Sequence, residues 1–146
     1  MSVQSFFTEE EKTKITDAIK TAELNTSGEI RVHVEGKCSH DVLDCAAYWF
    51  EKLKMHKTEL RNSVLFYLAL TDRKFAILGD GGINAKVPED FWENIKEHML
   101  SRFKEGQFAD GLAEGILMAG EQLKTHFPYQ SDDVNELSDE ISFGKK

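Results

Sequence analysis

Little in this chain staples it or ties it to a membrane or a nucleic acid. Its two cysteines are a single pair, which is no disulfide framework and excludes the small cross-linked scaffolds. The longest apolar run, Val64–Leu70, falls far short of the roughly 20 residues of a membrane-spanning helix. Basic charge is scarce as well. A formal net charge of −8 repels phosphate backbones and argues against nucleic-acid binding. The Walker phosphate loop, the G-x-S-x-G elbow and the C-x5-R nucleophile pattern are all missing, which removes nucleotide hydrolysis of that type and the familiar serine and cysteine nucleophiles. Met1–Phe7 holds no basic stretch followed by an apolar one, so no secretory signal is expected. Cys38 and Cys45 are therefore expected as reduced thiols in a cytoplasm. His40 between them makes a C-x-H-x4-C array that fits no standard zinc spacing.

What is present reads as one domain with a real core: 146 residues, 40% hydrophobic and 30% charged, with no internal repeat and no linker. Thr8-Glu-Glu-Glu11 is a capping box, followed by Ile15, Ala18, Ile19 and Ala22 at helical spacing. Asn25–Gly28 ends that helix. Glu29–Glu35 alternates strictly, with Ile30, Val32 and Val34 on one face and Glu29, Arg31, His33 and Glu35 on the other, which predicts a half-buried strand. A helix is predicted from Asp41 to Met55, an all-apolar central strand over Ser63–Leu70, a tight turn at Thr71–Lys74 and a third strand over Phe75–Leu78. Gly79–Gly82 opens a loop to Pro88, where a helix is expected to begin. Gly106 breaks that helix, and a last one runs from Phe108 to Lys124 with Gly111, Gly115 and Gly120 allowing close packing. The acidic segment from Ser131 onward has little periodicity.

The 27 residues between the first two strands, with a helix inside them, suit a right-handed crossover, which makes those strands parallel. The third strand then ends at the edge where the first two begin. This brings Asp80, Glu29 and Asn62 together, and a Gly106 corner could add Asp110. Asp80, Glu29 and Asp110 are hard oxygen donors suited to calcium or magnesium. Asn62, Gly81 and Gly82 would support them, the glycines by letting backbone pass close to the ion, and the helix starting at Pro88 would offer N–H groups to phosphate oxygens. Local chemistry explains the same letters: Asp and Gly favour turns, Glu29 could be a solvated strand end, and Asp110 suits a first helical turn, as do Asp41 and Asp44. His33 has no second histidine nearby and is expected to face solvent. Asp72-Arg73 is expected to be only a hairpin turn, while Arg31 and Arg61 are possible phosphate clamps that sit in no motif.

Three stretches in order, Thr26–Val32, Asn62–Leu68 with Asp72–Ile77, and Phe103–Gly111, resemble the TPM domain family, named for a thylakoid lumen protein, a photosystem II repair protein and a receptor modulator. The likeness spans about Thr8 to Thr125. It implies a three-layer α/β/α sandwich whose short mixed sheet is flanked by about four helices. The domain is expected over 1–128, with 129–146 as an acidic tail, partly disordered or strapped onto it. The resemblance also implies calcium or magnesium binding, and an acid phosphatase activity reported for some members. Bacterial members often carry a signal peptide and a membrane anchor; neither is expected here. Two readings result: a divalent-metal-binding module presenting a surface to a protein partner, or a metal-dependent phosphatase acting on phosphate monoesters.

Overall fold

The capping box is formed. Thr8 Oγ1 accepts from the Glu11 N–H at 3.0 Å, and Glu11 Oε1 accepts from the Thr8 N–H at 2.9 Å, so two otherwise orphaned donors of a helix start are satisfied. They open α1 (Glu9–Glu23), which buries Ile15, Ala18, Ile19 and Ala22. The computed structural model describes residues 3–24, 26–58, 60–88, 90–128 and 137–144. After α1 come β1 (Glu29–Glu35), α2 (Val42–Lys52, capped by Asp41), and the hairpin of β2 (Ser63–Ala69) and β3 (Lys74–Gly79). A single helical turn, α3 (Gly81–Asn84), precedes α4 (Phe91–Lys104) and α5 (Phe108–His126). A two-residue strand, β4 (Ser142–Phe143), closes the described chain.

The strands lie in the order β3-β2-β1-β4. β1 and β2 are parallel, as the crossover through α2 requires, β2 and β3 are antiparallel, and β4 adds parallel to β1. Side-chain alternation sends Ile30, Val32, Val34, Val64, Phe66 and Leu68 into the core shared with α1, α4 and α5. Leu65, Tyr67, Ala69 and Ala76 pack instead under Ala46 and Phe50 of α2. The result is the three-layer α/β/α sandwich with a mixed sheet. The glycine stripe of α5 works as expected: a Cβ on Gly120 would lie 2.6 Å from the Ala22 Cβ and 2.8 Å from its Cα, so α1 and α5 meet almost backbone to backbone.

Three details of the fold depart here from the sequence reading. Regular helix begins at Phe91, not Pro88; the Phe91 N–H first closes a turn onto the Pro88 carbonyl at 3.1 Å. The loop that Gly79–Gly82 opens toward Pro88 contains α3, with Asp80 as its N-cap. Cys38 and Cys45 are bridged by a disulfide, not reduced, with their Cα atoms 6.2 Å apart. The Asp72 carboxylate, accepting from the Cys38 N–H at 2.6 Å, turns the loop back so that the two sulfurs meet at the first turns of α2. Of the expected tail, residues 137–144 run beside β1, with Ser142–Phe143 pairing to it as an edge strand; 129–136 and 145–146 fall outside the described residues.

Candidate functional site

One rim of the sheet gathers the beginnings of β1 and β2 and the end of β3. The Glu29 N–H donates to the Asn62 carbonyl (3.3 Å), the Asp80 N–H to the Ser63 carbonyl (3.0 Å) and the Gly82 N–H to the Arg61 carbonyl (2.9 Å). Glu29, Asn62 and Asp80 thus share the edge that the topology implied. Gly82 must be glycine there, because a Cβ would sit 2.4 Å from the Leu60 carbonyl oxygen. Gly81 faces open space and is under no such demand. Asn62 is buried and its Nδ2 donates to Ser27 Oγ at 3.3 Å, which ties the β2 entry to the turn before β1.

Asp80 is the centre of this rim. Its carboxylate is almost wholly buried, yet the guanidinium of Arg61 that pairs with it is 56% exposed. The pairing is bidentate: Arg61 Nε and Nη2 each donate at 2.8 Å, the geometry that suits a planar guanidinium. The Gly81 N–H adds a third bond at 2.7 Å. The Asp80 hydrogen bond pushes the Arg61 pKa still higher, so the guanidinium stays charged. Arg61 itself is held at φ +53°, a left-handed conformation that non-glycine residues seldom adopt. Asp80, Arg61, Glu51 and His56 line one cavity of about 430 Å³, floored by Phe50 and Leu78. The Nδ1 of His56 is buried with no hydrogen-bond partner among the described residues. Glu51 and His56 carry no motif. Their signal in sequence was only that the helix before β2 must end beside its start.

Glu29 shares the rim but not the cavity; its Oε1 accepts from the Leu137 N–H at 2.5 Å, so the carboxylate caps the returning C-terminal segment. Asp110 is not on this rim at all. It lies in the first turn of α5 and pairs with Lys14 of α1, whereas Leu123, further along the same helix, accepts from Thr26 Oγ1 beside the β1 entry at 3.1 Å. Thirteen residues of helix put roughly 20 Å between the two positions. The Gly106 corner is at the far end because α4 first runs 14 residues away from the rim. Asp110 is therefore corrected as a ligand of an Asp80 ion. Among the described residues no three His, Cys, Asp or Glu side chains form a metal-ligating group.

A second polar cluster, unforeseen from the sequence, lies on the α2 face of the sheet. His33, expected at the surface, is fully buried: its ring stacks on Trp49 with centroids 3.8 Å apart, and its Nδ1 meets Ser142 Oγ at 2.9 Å. The Glu35 carboxylate accepts from Trp49 Nε1 (3.1 Å) and from the Tyr67 hydroxyl. Burial, and then the nearby Arg31, lower the His33 pKa to about 4, while burial and the Glu35 bond raise that of Tyr67. The C-terminal segment makes this face an interior, which alternation within β1 alone does not reveal.

A mixed sheet in an α/β/α sandwich, with a buried Asp at the β3–α3 junction, defines a class of small domain. The TPM domain model matches residues 2–122, and the chain belongs to the TPM domain family. It is similar to the BA42 protein of the psychrophilic bacterium Bizionia argentinensis, known from an NMR structure, at 48% identity over 95% of this chain and 96% of that one, with a TM-score of 0.90. More distant likenesses show the fold alone. One is the N-terminal domain of a P. gingivalis protein (18% identity, 83% of this chain and 78% of that one, TM-score 0.67). Another is the N-terminal domain of the cg2496 protein of Corynebacterium glutamicum (12% identity, 89% and 81%, TM-score 0.67). No curated protein matches the chain in sequence.

Proposed function

We propose that this TPM domain binds a divalent cation, calcium or magnesium, in the cavity at Asp80. The observation that carries the reading is a buried carboxylate lining an accessible cavity, with its charge balanced by an exposed side chain that can swing away. The Arg61 guanidinium supplies Asp80 with the positive charge that such a cation would bring. Glu51 and His56 line the same space. With Asp110 elsewhere, the donors suit a hydrated ion held by Asp80 and Glu51, with water completing the shell. When bound, such an ion would supply positive charge to a phosphate oxygen. Arg61, released toward the cavity mouth, would then be free to clamp that phosphate. This favours, as a second reading, a metal-dependent acid phosphatase acting on phosphate monoesters. A protein partner is the alternative ligand of the loaded surface.

Calcium titration followed by amide NMR should move Asp80, Gly81 and Gly82 first. Asp80→Asn should abolish the response, and Arg61→Gln should strengthen binding by removing the competing cation. Binding unchanged in Asp80→Asn, with circular dichroism showing both variants folded, would sink the site. Hydrolysis of an aryl phosphate that needs added metal and is lost in Asp80→Asn would select the phosphatase. Binding without turnover would leave the module.

No helix among the described residues is long and apolar enough to cross a membrane. The expectation of a cytoplasm carried with it the expectation of reduced thiols. With Cys38 and Cys45 bridged, the reading we favour is a compartment that sustains disulfides.

A further inference from the structure

The opposite end of the sheet, where β2 passes into β3, carries a cavity of about 580 Å³ with a chemistry unlike that of the Asp80 rim. Its walls are Phe6, Phe75, Phe103, Phe108, Leu70 and Leu100. The rings form one continuous surface: Phe6–Phe108, Phe75–Phe103 and Phe103–Phe108 have centroids 5.6, 5.1 and 5.4 Å apart. They are not sealed from water, since Leu100 is 44% exposed and Phe108 37%. Concave apolar walls of this volume are the usual make-up of small-molecule sites, and clustered apolar side chains left exposed mark places where something binds.

Three cations, Arg73, Lys74 and Lys104, line the same cavity. In a chain of net charge −8 acidic partners are plentiful. Close by, Arg102 pairs with Glu114 at 2.8 Å, and Lys14 pairs with Asp110. Arg73, Lys74 and Lys104 make no ion pair with any described residue. Arg73 is held at φ +53° and Gly106 at φ +78°; both residues line the cavity, so a tight turn shapes it on each side. A lipid bilayer would be met by a protruding apolar face, whereas this surface is hollow, with a volume suited to a small molecule.

We propose that this cavity binds a medium-chain carboxylate, its acyl chain against the phenylalanine wall and its carboxylate among Arg73, Lys74 and Lys104. The site is separate from the Asp80 cavity and stands whether or not a metal binds there. The hairpin turn that the sequence presented as a mere connection supplies two of the three cations.

The test uses the full chain, amide NMR and calorimetry, with octanoate, 1-octanol and acetate as probes. Octanoate should shift Arg73–Phe75 and Phe103–Phe108, with octanol and acetate binding at least about tenfold more weakly, the loss expected when a charged hydrogen bond or the apolar body is missing. Lys74→Gln/Lys104→Gln, both at exposed positions, should weaken octanoate by a similar factor and leave octanol and the circular dichroism unchanged. Shifts elsewhere, no binding, or octanol binding as tightly as octanoate would overturn the proposal. So would cosedimentation with phosphatidylglycerol vesicles without binding of free octanoate, or dilution-dependent shifts at these residues that report a second copy in the cavity.

Discussion

The two faces of the sheet are built from the same strands by opposite means. Every residue of β2 is buried, yet Val64, Phe66 and Leu68 belong to the apolar core, while Tyr67, one position away, donates its hydroxyl to Glu35 beside a buried histidine. The face under α1, α4 and α5 gains its stability from area and close fit. The face under α2 and residues 137–144 holds buried polar and titratable groups, so its stability depends on protonation state. The candidate cation cavity opens on this second face, where carboxylates and histidines already pay the cost of burial.

The largest contrast should appear within β2. Phe66→Ala is expected to cost about 3–5 kcal/mol, the loss of a buried aromatic ring plus the cavity left behind. Tyr67→Phe keeps the ring and removes one hydrogen bond, worth about 0.5–1.5 kcal/mol. Urea denaturation of both variants measures the difference; equal losses would mean that the two faces are not distinct in kind.

The next contrast is in pH. Burial, and then the neighbouring Asp139 carboxylate, raise the Glu23 pKa from 4.5 to about 9, while His33 falls from 6.5 to about 4. The groups facing His33 are Arg31 and Glu35 from β1 and Tyr67 from β2. Between pH 4.5 and 6.5 the unfolded chain binds the His33 proton more readily, so that group makes stability rise with pH. Over the same window the folded chain holds the Glu23 proton more tightly, so that group makes stability fall with pH. The two oppose, and the parent protein should be nearly flat there, then lose stability from pH 6.5 to 9. In Glu23→Gln the His33 limb is uncovered: stability should climb from pH 4.5 to 6.5 by up to ~1.4 kcal/mol per unit, level off, and exceed the parent at pH 8 by up to ~5 kcal/mol. Denaturant midpoints across this range check it. A parent curve that climbs as steeply as the variant's would remove Glu23 from the account.

These two groups also show where the sequence could be read and where it could not. The capping box, the alternation of β1 and the parallel crossover are local or length-determined signals, and the fold followed from them. His33 was misread because its burial comes from Ser142 and Trp49, the first in a two-residue strand too short to show a period. Asp110 was misplaced for a different reason. The signal is present in the sequence, since a helix from the Asp80 loop to Gly106 is long enough to carry the corner across the domain and away from the rim. Arg61 was visible as a charge, but that its guanidinium would pair with Asp80 depended on a left-handed turn that no residue type announces.

The smallest contrast lies inside α5 and tests whether close fit on the apolar face comes from backbone or from side chain. A Cβ on Gly120 would meet the Cα and carbonyl oxygen of Ala22 at 2.8 and 3.0 Å; one on Gly115 would meet the Sδ and Cγ of Met99 at 2.6 and 2.7 Å. The distances are alike but the neighbours are not. A helix backbone can yield only by moving α1 as a body, whereas a thioether can change rotamer. Gly120→Ala is therefore expected to destabilise by about 1–3 kcal/mol through overpacking. At Gly115→Ala the higher helix propensity of alanine, up to about 1 kcal/mol, offsets much of the Met99 adjustment and leaves a change below about 1 kcal/mol. Thermal denaturation of the two single variants decides it. An equal loss at both sites would show Met99 to be as fixed as the α1 backbone, and the apolar face to be rigid down to its most flexible side chain.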